Sequence, residues 1–271
     1  MVKKLFKYEI NYYLRTLLLI FPITVMLGIG TLVLSPLRNL DSPIASLYYL
    51  SMGPLFLGVA VSVIAPIAIN VIRFYKNMYS NEGYLTFSLP VSNHAHLLTK
   101  ILTGAIFEVL GIIIAIITVL IAFASIKEFW IGIANFFTQI YEAIASINGV
   151  HIIFYLLEII ILIVISLVSS PLIYYTCVSL GQLGKKNRIV LAVLIYYGFT
   201  IAVQIISSFG MVILSILGMN GFFDPLSNFI DLHPYASIHI GLILSIIFSA
   251  GVSCLLYFAN YKLMTNKLNL E

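Results

Sequence analysis

The sequence predicts an all-α integral membrane protein with six transmembrane helices, on three observations. Of its 271 residues, 61% are hydrophobic and only 9% charged, where a soluble domain carries about 25% charge. Six apolar runs each reach the roughly 20 residues needed to cross about 30 Å of hydrocarbon. Basic residues gather in alternate connections between those runs.

The runs are Thr16 to Leu34, Leu50 to Ile72, Ile101 to Phe123, Ile152 to Val178, Ile189 to Met219 and Ile238 to Tyr257. The fourth and fifth are longer than one crossing needs. They contain Ser169-Ser170-Pro171 and Ser207-Ser208-Phe209-Gly210, so a kink, tilt or partial re-entry is expected there. The first run is not followed by a small-residue cleavage site, which predicts a retained amino terminus.

Charge sets the orientation. Lys3, Lys4, Lys7, Arg15, Arg73, Lys76, Lys100, Lys185, Lys186, Arg188, Lys262 and Lys267 fall on one side, twelve of the 14 Lys and Arg. Arg38 and Lys127 fall on the other, with Asp41, Glu128, Glu142, Asp224 and Asp231. The positive-inside rule makes the first side cytoplasmic and places both termini there. The net charge of +4 is thereby a topology signal, and no nucleic-acid partner is expected. A multi-pass protein of a cell membrane, bacterial by the resemblance below, is the localisation this supports.

Outside the spans, Lys3, Lys7, Asn11 and Arg15 recur every four residues, with Leu5, Phe6, Ile10, Tyr13 and Leu14 opposite them. This predicts an amphipathic elbow helix over residues 2–15, lying in the cytoplasmic interface against membrane lipid. A plain extension of the first span accounts for the same lysines. Aromatic and aliphatic residues at helical spacing from Lys127 to Asn148 predict an interfacial helix at the outer leaflet, and equally suit a cap with no part in substrate handling. Asn220 to Ser237, with Pro225 and Pro234, predicts a short broken element.

Reactive groups are sparse. Cys177 and Cys254 sit in apolar runs and read as small hydrophobes. His94 and His96 would face the same way in an extended loop, yet two ligands do not make a metal site. A P-loop ending at Gly184-Lys185 would need glycine where Ser179 stands and Ser or Thr where Lys186 stands. No catalytic residue, metal or directly bound cofactor is expected, and nucleotide hydrolysis would belong to another polypeptide. Glu108 and Glu158 differ, since a carboxylate within a membrane is costly and is by default a functional candidate. Substrate contact, helix coupling, packing and snorkelling all fit them, and their depths predict that they do not pair. Tyr174-Tyr175 and Tyr196-Tyr197 suit an aromatic belt. Gly241, Ser245 and Ser249 suit a close helix contact.

Residues 73–100 form the longest cytoplasmic loop, which keeps Tyr84, Leu85, Phe87 and Leu89 apolar beside Glu82, as a surface pressed against a partner would. In the segment Asn81-Glu82-Gly83-Tyr84-Leu85-Thr86-Phe87-Ser88-Leu89-Pro90-Val91-Ser92 and in its six-span plan, the chain resembles permease subunits of ATP-binding-cassette exporters of the second permease type, especially the small ones of Gram-positive bacteria. The resemblance implies a single transmembrane domain over 1–271 and a coupling helix in this loop that docks into a separate ATPase subunit. It places Glu82, Gly83, Tyr84, Leu85 and Phe87 at or beside that contact, with ATP and Mg held by the ATPase.

It also implies two permeases per complex, and six spans without internal duplication call for a homodimer or heterodimer. The basic loop at Gly181, Gly184, Lys185, Lys186 and Arg188 suits a second ATPase contact or positive-inside anchoring. A hydrophobic or amphipathic substrate, such as a peptide or antimicrobial, follows from spans nearly free of charge. A membrane-embedded interaction or immunity protein that transports nothing is the alternative. A secondary transporter is disfavoured by the lack of an evident inverted repeat or paired broken helices.

Overall fold

The computed structural model describes residues 2–40, 43–80, 82–88, 90–145, 147, 149–184 and 187–266. Asp41, Asn81, Leu89, Asn148, Lys185, Lys186 and Lys267, invoked above, lie outside them. The described chain is helical, with no strand among the described residues. The helices are α1 (Val2–Leu34), α2 (Ala45–Tyr79), α3 (Glu82–Ser88), α4 (Asn93–Ala122), α5 (Lys127–Ala145), α6 (Gly149–Gly181), α7 (Arg188–Met219), α8 (Asp224–Leu232) and α9 (Pro234–Asn266), with a 3-10 turn at Ser35–Asn39. Six of them, α1, α2, α4, α6, α7 and α9, are long and apolar enough to cross a membrane. Each contains the sequence span assigned to it, to within one residue.

Two expectations about the ends are corrected. Residues 2–15 are not a separate elbow but the first turns of an unbroken α1. The face bearing Glu9 and Tyr13 is buried against other helices and continues into buried Leu17, Thr24 and Thr31, so one amphipathic stripe runs through both parts. The loop at 73–100 shrinks to the connections around α3, since α2 extends to Tyr79 and α4 begins at Asn93. His94 and His96 therefore lie in the first turn of α4, where residues two apart point to nearly opposite sides. His94 is exposed and His96 buried.

The fourth and fifth spans also run unbroken, with no re-entrant segment. Pro171 sits inside α6, as Pro22 sits in α1 and Pro54 and Pro66 in α2. Long apolar helices tolerate such prolines when side-chain hydroxyls re-satisfy nearby carbonyls. The carbonyl that Pro171 leaves without its helical donor is that of Leu167, and Ser169 Oγ donates close by, to the Ile165 carbonyl at 2.7 Å.

The chain forms two compact units, one of residues 1–77 and 85–146, the other of 78–84 and 147–271. In the first, α1 and α4 run parallel: Tyr13 stacks on Phe107 with ring centroids 4.7 Å apart, and Ser125 donates to Ser35 at 2.7 Å. Helix α2 lies antiparallel against them, its Asn70 beside Tyr13 and its Gly58 beside Thr24.

In the second unit, α6 and α9 run parallel, with Ser169 bonded to Ser253 and Ser179 to Asn260, and α7 turns back antiparallel along α6, Gly181 against Ala192. Each unit thus has the same plan: two parallel long helices in contact and an antiparallel one between them in the chain. The line of Gly241, Ser245 and Ser249 is not the α6–α9 seam, because an added Cβ at Gly241 meets nothing within 4 Å.

Amphipathic α5 buries none of its residues. Its start is fixed by Trp130, whose Nε1 donates to the Ala124 carbonyl at 2.9 Å. Cys177 and Cys254 are free thiols.

Gly111 marks a close approach of α4 to α2: an added Cβ there collides with the Ser62 carbonyl and lies 2.9 Å from Pro66 Cγ. Gly30 has open space around it. Gly111→Ala is expected to lower unfolding free energy in detergent by about 1–3 kcal/mol through overpacking, and Gly30→Ala to leave it within about 0.5 kcal/mol.

Candidate functional site

Three polar clusters interrupt the apolar packing. The first centres on Glu9, buried to 3% exposure. Its two oxygens accept from Arg73 Nε at 3.3 Å and Lys100 Nζ at 3.0 Å, joining α1 to α2 and α4. The Arg73 guanidinium also lies over the Tyr12 ring, 4.1 Å from its centroid. One turn deeper, Tyr13 Oη donates to Asn70 Oδ1 at 2.8 Å, and Asn70 Nδ2 donates to Glu108 Oε1 at 3.2 Å. Gly104 makes room for this amide, since a Cβ there would collide with Asn70 Nδ2. Glu108 thus lies buried within a chain of side chains linking α1, α2 and α4.

The second cluster lies in the other unit, where Tyr79 Oη donates to Ser179 Oγ at 2.9 Å and Ser179 Oγ to Asn260 Oδ1 at 3.0 Å. Asn260 Nδ2 donates to Thr176 Oγ1 at 2.7 Å. Tyr79, Ser179 and Asn260 are all buried. The last residue of α2, just ahead of α3, is therefore fastened to α6 and α9.

The third cluster holds Glu158. Its carboxylate faces His239 Nδ1 at 2.9 and 3.1 Å, and His239 Nε2 lies 3.0 Å from His151 Nδ1. Glu108 and Glu158 each have a partner of their own, Asn70 and His239.

The five residues assigned to the ATPase contact lie on α3. Glu82 is exposed, Gly83 is buried and its amide donates to the Ser80 carbonyl at 2.7 Å. Tyr84 and Leu85 are 56% and 74% exposed. Thr86 is buried and Phe87 half-buried, so α3 presents two adjacent large apolar side chains outward while its other face is held in place.

A cleft of about 380 Å³ between α6, α7 and α9 is lined by Ser166, Ser169, Ser170, Tyr174, Tyr196 and Phe248 among others. Among the described residues no group of three or more His, Cys, Asp and Glu could hold a metal ion.

Sequence reasoning missed Glu9, Asn70, Tyr79, Asn260, His151 and His239 as members of these clusters, and took Arg73 and Lys100 only as topology markers. The signal available was a lone acid, Glu9, in a lysine-rich segment, and three histidine-or-glutamate positions in otherwise uncharged runs. Compared with protein-family models, curated proteins and solved structures, the chain matches none.

Removing one partner of a buried ion cluster leaves uncompensated charge, at a cost of about 3–5 kcal/mol. Glu9→Gln is expected to destabilise the detergent-solubilised protein by that amount in a denaturant titration. Adding Arg73→Met and Lys100→Met to it is expected to recover most of the loss.

Proposed function

We propose that the chain is the permease subunit of an ATP-binding-cassette exporter of the second permease type. It works with a separate ATPase that binds ATP and Mg, and with a second permease copy, to move a hydrophobic or amphipathic molecule out across a bacterial cytoplasmic membrane. Both termini and α3 face the cytoplasm in this reading, following the sidedness of the basic residues.

The observation that carries it is α3. A seven-residue helix between the second and third long helices holds Tyr84 and Leu85 exposed, where a soluble partner would supply the apolar surface they lack. Its attachments suit force transmission. Tyr79, three residues ahead of it, is bonded to α6 and α9 through Ser179 and Asn260. Lys100, in the helix that follows it, is bonded to Glu9 of α1. A displacement of α3 by a partner would pull on long helices at both of its ends. The hydroxyl and aromatic cleft at Ser166, Ser170, Tyr174 and Tyr196 suits an uncharged amphipathic substrate, because it offers hydrogen bonds and ring surface without fixed charge.

The test is purification of the tagged full-length chain with an ATPase carrying a Walker A motif, followed by hydrolysis in nanodiscs. Tyr84→Glu with Leu85→Glu is expected to abolish co-purification and permease-dependent stimulation of hydrolysis. Unchanged assembly and stimulation in that variant would eliminate α3 as the docking element. A chain that purifies alone and transports nothing would favour the interaction-protein reading. Tyr79→Phe, which removes one buried donor worth about 1 kcal/mol, is expected to preserve assembly but lower stimulated hydrolysis about three- to tenfold.

A further inference from the structure

We propose that Glu158, His239 and His151 form a proton-binding site that clasps α6 to α9 when loaded. The inference rests on this cluster's geometry and is independent of whether an ATPase drives the protein.

Both ring nitrogens of His239 are engaged, Nδ1 with the Glu158 carboxylate at 2.9 Å and Nε2 with His151 Nδ1 at 3.0 Å. The side chains of Glu158 and His239 are only 14% and 19% exposed. The cluster is walled by rings: Tyr155 lies 4.3 Å from His239 and Tyr235 stacks on His151 at 4.7 Å, centroid to centroid. Tyr155 Oη donates to the Tyr235 carbonyl at 3.1 Å, which holds the two walls together.

The proton count follows from donor and acceptor chemistry. An ionised carboxylate only accepts, so His239 carries hydrogen on Nδ1. With His239 neutral, its Nε2 is an acceptor and His151 donates from Nδ1. A proton arriving on His151 Nε2 makes that ring cationic. The Nδ1 proton then passes to His239 Nε2, leaving His151 neutral with its hydrogen on Nε2 and His239 cationic beside Glu158. Every hydrogen bond survives, one proton has been gained, and the charge of the cluster goes from −1 to 0. His151 is the relay, His239 the holder and Glu158 the counter-charge.

No fixed cation competes for Glu158 within the described part of this unit. On α6 the titratable neighbours are His151 and Tyr155, and on α9 Tyr235. Helix α9 carries its one lysine at Lys262, 23 residues beyond His239, about 35 Å along the helix. On α7, which packs on α6, Arg188, Tyr196 and Tyr197 lie in the first turns, beside the far end of α6. On α8, Asp231 forms no ion pair among the described residues, and the adjoining His233 contacts Phe229. A carboxylate so placed in a membrane is costly uncompensated, and an imidazole is the side chain that supplies a proton reversibly near neutral pH.

The experiment is nitrogen-15 NMR of imidazole-labelled full-length protein in nanodiscs, titrated from about pH 8 to about pH 5. The expected result is that both His239 nitrogens become protonated together in the wild type. Glu158→Gln is expected to weaken proton binding at His239 by about tenfold or more, the loss of one opposite charge at contact. His151→Phe removes the relay and is expected to slow proton exchange at His239. As a second readout, hydrogen-exchange protection at the first turns of α6 and α9, taken relative to the intrinsic exchange rate at each pH, is expected to rise at low pH in the wild type and to lose that rise in Glu158→Gln and His239→Asn, with protection in α1 and α4 unchanged. A His239 that stays neutral throughout in the wild type, or titrates identically in Glu158→Gln, overturns the proposal.

Discussion

Glu9 sets how far the long helices of the first unit extend. Arg73 and Lys100 lie toward the facing ends of α2 and α4, where cations buried without a counter-charge would be costly. One buried carboxylate receives both, at 3.3 and 3.0 Å, so α2 continues to Tyr79 and α4 starts at Asn93. The connection between them is thereby reduced to a short stretch with its own helix, α3. A charge balance near the start of α1 thus accompanies a short connection that carries α3. The same balance suits residues 2–15 continuing α1: an interfacial elbow would take Glu9 away from Arg73 and Lys100.

The spans were legible because length and apolarity are local properties, readable one run at a time. Their ends were not. Basic residues read as loop markers in sequence, and the acid that lets them stay helical lies 64 residues from Arg73 and 91 from Lys100. Glu158 was legible as an exception, since a single acid in an apolar run stands out by its cost. Its partner was not, because His239 is 81 residues away and no periodicity connects them. The packing seams failed for a related reason. Spans facing lipid on most sides have little amphipathic contrast, so the line of Gly241, Ser245 and Ser249 looked as good as the seam actually used, which runs through His239, Ser253 and Asn260.

The two units share a connectivity, with parallel first and third long helices and an antiparallel second, although no duplication shows in the residues. Each also joins its parallel pair by a buried polar chain near one end and by hydroxyl or amide contacts further along. In the first unit the contacts are Tyr13 to Asn70 to Glu108 and Ser35 to Ser125. In the second they are Ser169 to Ser253 and Ser179 to Asn260. Apolar helices in lipid gain little from burying more apolar surface against one another, so such contacts and close packing at Gly111 or Gly181 are what define the neighbours.

The chemistry of the two acid clusters separates the units in behaviour. Glu9 is matched by an arginine and a lysine, donors with no acceptor lone pair of their own. Glu158 is matched by an imidazole backed by a second imidazole, rings whose nitrogens can each donate or accept. The α1–α2–α4 cluster is therefore suited to serve as a fixed frame. In the proposed α6–α9 site, a bound proton would add a positive charge beside Glu158 and so strengthen that contact.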